Sequence, residues 1–313
     1  MALEQVVLSD PATGSQAKVL VGFGFNCYSF ETVHNGQRQE SFWSAPDFES
    51  GAARPSSSGI PLLFPFPGRI GGAALEWDGK PYSLADGDGR GNAIHGFVLG
   101  RPWRIVDQSE THVVGEFQAS VDDTSLLKQW PADFLIRAKY ELSANCLHSV
   151  YTFHNPDDKP LPCGFGTHPY FRVPLGGNVG DACTVRFPVS EKWQLQNMLP
   201  TNKHPLDEPA EFQNGVRFSD MQFDDVFQGL EFSDGICTTG IDDPNSGRKL
   251  TMSFDGTFNT CVVYNPPHRE AICIEPYTCV PDPIRLTSEG HDVGLRVLQP
   301  DESFTARVSI TVE

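Results

Sequence analysis

Phe134-Leu-Ile-Arg-Ala-Lys-Tyr-Glu-Leu142 puts Phe134, Ile136, Ala138, Tyr140 and Leu142 on one side of an extended chain and Leu135, Arg137, Lys139 and Glu141 on the other. Side chains alternate across a strand, so this period of two is a half-buried β-strand. Beyond the turn at Ala144-Asn145, Leu147, Tyr151 and Phe153 alternate with His148, Thr152 and His154, and the two segments make a hairpin. The last residues repeat the pattern, with Phe304, Ala306, Val308, Ile310 and Val312 inside and Thr305, Arg307, Ser309, Thr311 and Glu313 outside. Helical periodicity is confined to Ser125 to Trp130, which Pro131 would cut short. Turns rich in glycine and proline, such as Asp86-Gly-Asp-Gly and Asp242-Asp-Pro-Asn-Ser-Gly, punctuate the rest. The fold class is all-β, a sandwich or barrel of antiparallel sheets with long loops. The loops around 50 to 60 and 195 to 220 are candidates for functional walls or lids.

The 313 residues hold no internal repeat, low-complexity linker or charge block to mark a boundary, so residues 1–313 read as a single domain with an ample core. Forty acidic residues against 23 basic ones, net −17, disfavour nucleic acid, anionic membranes and polyanionic substrates as partners. Neutral or cationic small ligands fit better. The eight cysteines include no C-x-x-C pair and sit largely in apolar or strand-like segments, so they read as reduced core residues. Met1-Ala-Leu-Glu-Gln lacks the basic and apolar regions of a signal peptide, and no long apolar stretch follows. The expectation is a soluble, cytoplasmic protein, monomeric or homodimeric.

Several segments could carry chemistry. Ala271-Ile-Cys-Ile-Glu275 is an apolar run that reads as a buried strand, with Glu275 at its end and Pro276 next; the carboxylate should point into a cleft at the rim of a sheet. In an apolar wall its pKa rises, which strengthens it as a base near neutrality. Cys163-Gly-Phe-Gly-Thr-His168-Pro-Tyr-Phe171 brackets a histidine with glycines, a proline and aromatics, and a histidine there can give or take a proton at neutral pH. Gly59-Ile-Pro-Leu-Leu-Phe-Pro-Phe-Pro-Gly-Arg69 holds an apolar loop rigid and delivers one guanidinium, either to a ligand or to a neighbouring carboxylate. In Asn92-Ala-Ile-His95-Gly-Phe the glycine lets a backbone or ligand come close, and His95 alone is as readily structural as functional. One aspartate of Phe223-Asp224-Asp225-Val226-Phe227 must face inward if its neighbours do. Asp86, Asp88 and Asn92 lack the closing glutamate of a calcium loop and read as a turn. There is no G-x-S-x-G elbow, Walker loop, G-x-G-x-x-G or H-E-x-x-H, so a serine triad and a nucleotide cofactor lose their support.

Taken in order, Gly59 to Arg69, Ile94-His-Gly-Phe97 with Arg101-Pro-Trp103, Gly166-Thr-His-Pro-Tyr-Phe171 and Cys273-Ile-Glu-Pro-Tyr-Thr278 resemble the aldose 1-epimerase, or galactose mutarotase-like, family in its bacterial branch. Val293-Gly-Leu-Arg-Val-Leu298 and Glu302-Ser-Phe304 carry the resemblance to nearly the whole chain. It implies a β-supersandwich and an isomerase that interconverts the α and β anomers of free aldohexoses by ring opening and reclosure. It also implies a small-molecule sugar as partner, with neither cofactor nor metal. The family's acid falls on His168 and its base on Glu275. Substrate-binding roles fall on Arg69, His95 and an aspartate, for which Asp224 matches better than Asp225. Gly96-Phe97 stands where galactose mutarotases carry two glycines, which leaves the sugar open.

Three other readings remain. A hexose-6-phosphate 1-epimerase would need a basic pocket, which Arg38, Arg54 and Arg90 could supply. A non-catalytic carbohydrate-binding protein could use the same sandwich. A glycosidase would need a second carboxylate beside Glu275, a part left to Asp224.

Overall fold

The computed structural model describes residues 3–313. The hairpin that decides the fold class lies at the centre of a nine-stranded sheet. Leu135–Ser143 pairs with Cys146–His154 through the Ala144-Asn145 turn, and Cys146–His154 pairs in turn with the C-terminal strand Ser303–Val312. The alternation holds: Ile136, Ala138, Tyr140 and Leu142 are buried, as are Ala306, Val308, Ile310 and Val312. On one flank lie His112–Gln118 and Arg104–Gln108; on the other lie Arg248–Asp255, Ile236–Asp243, Thr184–Arg186 and Val216–Arg217, with every pairing antiparallel.

A second antiparallel sheet carries the candidate site. Leu199–Pro205, Glu191–Gln196, Asp224–Gln228, Thr260–Tyr264 and Ala271–Tyr277 follow one another across it, and short strands at Gly166–Thr167, Leu62–Leu63 and Tyr170–Arg172 complete it. Gln5–Ser9, Gln16–Leu20, Asn26–His34 and Gln37–Glu40 form a separate four-stranded sheet. Aromatic side chains join the two large sheets. Phe64 and Phe165, from the site sheet and its loops, meet Phe153 at 4.8 and 4.6 Å between ring centres, and Phe64 meets Phe134 edge-on at 5.2 Å. Such pairs add to the area they bury and fix how the layers sit. One cluster of buried side chains runs from Leu8 to Val312.

Three expectations need revision. The segment at Ser125 to Trp130 is a 3-10 turn, Thr124–Lys128, rather than an α-helix: the Asp123 side chain accepts from the Ser125 amide at its start, Leu126 is buried, and the few residues left before Pro131 hold only this short tight turn. Residues 195 to 220 are not a long loop: they hold the end of Glu191–Gln196, the strand Leu199–Pro205, the helix Pro209–Asn214 and the strand Val216–Arg217. Pro205 and Pro209 begin or end these elements rather than abolishing them. Glu275 does not end its strand, which continues through Pro276 to Tyr277. All eight cysteines are free thiols, and seven of them are buried.

Candidate active site

The ladder around Ala271–Tyr277 explains where Glu275 points. On one side its neighbour is a broken strand: Gly166 faces Tyr277 and Tyr170 faces Cys273, in a single register. Counting inward from either pair sets His168 opposite Glu275. Between these pairs His168-Pro169 leaves the ladder, so the sheet has a gap, and Pro276, which has no N–H to satisfy, lies beside it. Directly opposed residues of an antiparallel pair bring their side chains together on one face. His168 Nε2 accordingly lies 3.2 Å from Glu275 Oε1.

Both groups are sealed from bulk water, with 7 % and 1 % of their side chains exposed. Burial pushes the Glu275 pKa well above the carboxylate range, a shift that the Tyr277 hydroxyl and Arg69 oppose and Asp224 reinforces. The Tyr277 hydroxyl donates to Glu275 Oε2 at 2.6 Å from two residues along the same strand face. Burial likewise lowers His168 to about 3. The His168 ring stacks on Tyr170 at 4.8 Å and 7°, and its Nδ1 has no hydrogen-bond partner among the described residues.

Arg69 and His95 arrive from a second, smaller ladder in which Arg69–Ile70 pairs with Ala93–Ile94. The His95 amide donates to Gly68 O at 2.7 Å, and the residue has φ +66. This left-handed conformation costs a side-chain-bearing residue on the order of 1 kcal/mol. The next residue, Gly96, has φ +71, and a Cβ there would lie 2.2 Å from Phe64 O, so only glycine lets the chain wrap this close to the Phe64 loop. The result is a His95 ring edge-on to His168 at 5.5 Å. Burial, then the charges of His168 and Arg69, push the His95 pKa well below its ordinary value, so it is a neutral ring.

Asp224 and Asp225 open the strand Asp224–Gln228 and point to opposite faces. Asp224 lines the same cavity as His168, Glu275, Arg69 and His95, whereas Asp225 turns away to Lys192 at 3.0 Å. Water in the cleft reaches Asp224, yet the surrounding walls desolvate it enough to raise its pKa, against the charges of Arg69 and Arg90. All five sequence-derived candidates thus border one cavity of about 220 Å³.

Other groups at the cavity escaped the sequence reading. Arg69 Nε pairs with Asp88 Oδ2 at 2.9 Å. Although burial works against it, Asp88 is held to about 2 by hydrogen bonds from the Asn92 side chain, from the Arg90 and Asn92 amides and from Arg69. The segment is indeed a turn, but a turn that aims a carboxylate at Arg69, and nothing in its composition says so. Tyr277 was legible in principle, since residues two apart on a strand share a face. Tyr264 and Tyr170 border the cavity only through cross-strand register. Of the arginines considered for a phosphate, Arg54 and Arg90 border the cavity. Arg38 lies elsewhere, on Gln37–Glu40, donating to Gly14 O and Gln16 Oε1. His168, Cys273 and Glu275 each place one donor atom within 4.8 Å of the others, but burial raises both the Cys273 thiol and the Glu275 carboxyl, which disfavours the ionised forms a cation needs.

A galactose mutarotase-like protein of Clostridium acetobutylicum superposes with a TM-score of 0.87 at 21 % identity, over 100 % of this chain and 99 % of that one. A GalM/aldose epimerase homologue of C. elegans gives 0.80 at 17 % identity, over 99 % of each chain. These likenesses show the fold, a galactose mutarotase-like sandwich. In sequence, the chain is 23 % identical over 290 residues to the uncharacterized protein YphB of Escherichia coli K12, covering 88 % of this chain and 92 % of that one. No helix among the described residues is long and apolar enough to cross a membrane. The family model for aldose 1-epimerase matches residues 6–311, and with nearly the whole length matched the chain belongs to the aldose 1-epimerase family.

Proposed function

We propose that the protein is an aldose 1-epimerase in activity, exchanging the α and β anomers of a free aldohexose. The observation that carries this reading is the opposed pair of His168 and Glu275, 3.2 Å apart, buried and facing one cavity with Arg69, His95 and Asp224. Ring opening removes the proton of the C1 hydroxyl and adds one to the ring oxygen; the C1–O5 bond breaks, the aldehyde turns about C1–C2, and the ring closes on the other face. Only protons move. With Glu275 raised and His168 lowered, the empty pair keeps one proton from about pH 3 up to the raised pKa of Glu275. A pair with one proton can accept one and give one in the same turnover. With sugar bound, Glu275 is the base at the C1 hydroxyl, in the carboxylate form that Arg69 favours, and His168 is the acid at the ring oxygen. The two exchange roles for closure. Arg69 and His95 hold the oxygens around C1, and Asp224 accepts from ring hydroxyls.

Polarimetry on freshly dissolved α-glucose and α-galactose tests this reading: catalysed decay of rotation is the expected result. Saturable sugar binding with no acceleration over buffer would replace it with a carbohydrate-binding protein. A glycosidase would pair Glu275 with Asp224, which lines the same cavity, and release of free sugar from a glycoside would favour that reading instead.

A hexose 6-phosphate is the second reading. Its support is that Arg54 and Arg90, both at the cavity, have no carboxylate within 4.0 Å among the described residues. Guanidinium groups without a carboxylate partner in a chain of net −17 suit a phosphate. Rates on glucose and glucose 6-phosphate, measured side by side, separate the two.

A further inference from the structure

We infer that Asp88 is a positioning residue for the anomer exchange proposed above: it clamps Arg69 at Nε and sets how strongly that guanidinium acts on Glu275. The inference rests on that reading of the site and adds a residue to it. Asp88 comes from the 86–92 turn, and only 3 % of its side chain is exposed. Its Oδ1 accepts from the Arg90 amide at 2.8 Å and the Asn92 amide at 3.1 Å, and its Oδ2 accepts from Asn92 Nδ2 at 3.0 Å and Arg69 Nε at 2.9 Å. An ionised carboxylate has about four acceptor sites, so these four donors leave none for a sugar. Asp88 borders the cavity, yet it has to work through Arg69.

Only one of the four bonds leaves the turn. It takes the Nε edge of Arg69, whose Nη1 and Nη2 have no hydrogen-bond partner among the described residues. A guanidinium is a rigid planar fork, so fixing Nε fixes the plane of the two Nη groups that remain for the oxygens around C1. The bond also sets a negative charge against a positive one. His95, Asp224, Glu275 and Tyr277 all feel the charge of Arg69, which works against burial to lower the Glu275 pKa. Asp88 offsets part of that charge and so keeps the base strong. The groups that face Glu275 itself are His168, Tyr277, Asp224 and Arg69. A turn built for shape alone has no use for the fourth bond. Asp86, on the same turn, accepts from the Gly89 and Gly91 amides and from no described residue outside the turn.

Polarimetry against pH on wild type, Asp88→Asn, Arg69→Met, the double variant and Asp86→Ala tests the inference. Asp88→Asn keeps the size of the side chain and removes its charge. Its kcat/KM should fall ~10-fold or more, as for a group held out of place. Its alkaline limb should move to lower pH by ~0.5–1 unit, because Arg69 then acts on Glu275 unopposed. Asp86→Ala loosens the same turn without touching Arg69, so its limb should stay at the wild-type pH. Arg69→Met and the double variant should agree within ~2-fold, since nothing is left for Asp88 to position. A limb that Asp88→Asn leaves in place or moves to higher pH, an equal shift in Asp86→Ala, or additive losses in the double variant each overturn the inference. A second readout needs neither turnover nor sugar. The Arg69 Nε–H resonance in NMR, identified by its loss in Arg69→Met, should exchange slowly with water in the wild type and fast in Asp88→Ala. Fast exchange in the wild type, or slow exchange in Asp88→Ala, overturns the clamp. A wild type that accelerates no sugar would overturn the epimerase reading alone, and the resonance would then decide the clamp.

Discussion

A carboxyl group sealed from water gives up its proton reluctantly, and Glu275 is nearly sealed, with Tyr277 and Arg69 as the groups that make its ionised form attainable. Glu275→Gln keeps the shape and removes the base. The rate of anomer exchange should fall by ~10²–10⁴, the usual worth of a positioned proton transfer, with sugar binding kept through Arg69, His95 and Asp224. Near-wild-type decay of rotation would remove Glu275 from the mechanism. His168→Asn should lose rate to a similar extent. The two variants separate by stability. Glu275 has a folded pKa above its ordinary 4.5, so above that pH the folded protein retains a proton that the unfolded chain has lost. Stability therefore drains away as pH rises from 4.5, by at most ~1.4 kcal/mol per pH unit. Glu275→Gln escapes that loss and should resist urea better than wild type at pH 8, with the difference gone at pH 4. His168 runs the other way. It is lowered from 6.5 to about 3, so the unfolded chain binds the extra proton and stability is lost as pH falls through that window. His168→Asn should be relatively more stable at pH 4 than at pH 7. Urea titrations of the three proteins at these values check both signs.

At the scale of the element, the decisive feature is the interruption at His168-Pro169 in the strand that faces Ala271–Tyr277. The apolar run ending at Glu275 reveals a buried strand, and the motif Gly166-Thr-His-Pro-Tyr-Phe171 reveals a constrained histidine. That they are cross-strand partners comes from register alone, which depends on residues far apart in the chain. Register also explains Gly166: a Cβ there would lie 2.3 Å from the Tyr277 ring. Gly166→Ala should push that ring and take its hydroxyl off Glu275, and Tyr277→Phe removes the same hydrogen bond without the push. Since that bond lowers the Glu275 pKa, its loss raises it further. The alkaline limb of kcat/KM against pH should move to higher pH in both variants, because that limb reports loss of the proton shared by the pair. An unmoved limb in Tyr277→Phe would show that the hydrogen bond does not tune the base.

Across the whole molecule, what could be read in the chain was whatever repeats locally. Alternation in the hairpin at 134–154 and in the C-terminal strand is a statement about neighbours, and it yields the large sheet directly. The convergence of Arg69, His95, Asp224 and Asp88 on one cavity is not local. Asp88 reaches Arg69 from a turn that composition alone makes look idle, and Arg38 is as basic as Arg54 yet points elsewhere. Contacts between sheets are equally hidden, and Arg248 is the sharpest case. It sits on the large sheet with none of its surface exposed, donating to Leu175 O, to Thr32 Oγ1 at 2.7 Å and to Ser41 Oγ at 3.4 Å. Thr32 belongs to Asn26–His34 of the four-stranded sheet, and Ser41 follows its last strand, so one guanidinium ties that sheet to the large one. Arg248→Met fills similar volume but leaves the Leu175 carbonyl and two hydroxyls without this donor, each buried acceptor costing ~1–3 kcal/mol if nothing replaces it. Partial relaxation should leave a net loss of ~2–4 kcal/mol. The urea midpoint should fall with an unchanged m-value, meaning that stability rather than compactness has altered. Anomer exchange per folded molecule should hold, because Arg248 does not border the cavity at Glu275. A midpoint that stays put would mean that apolar packing alone joins the sheets.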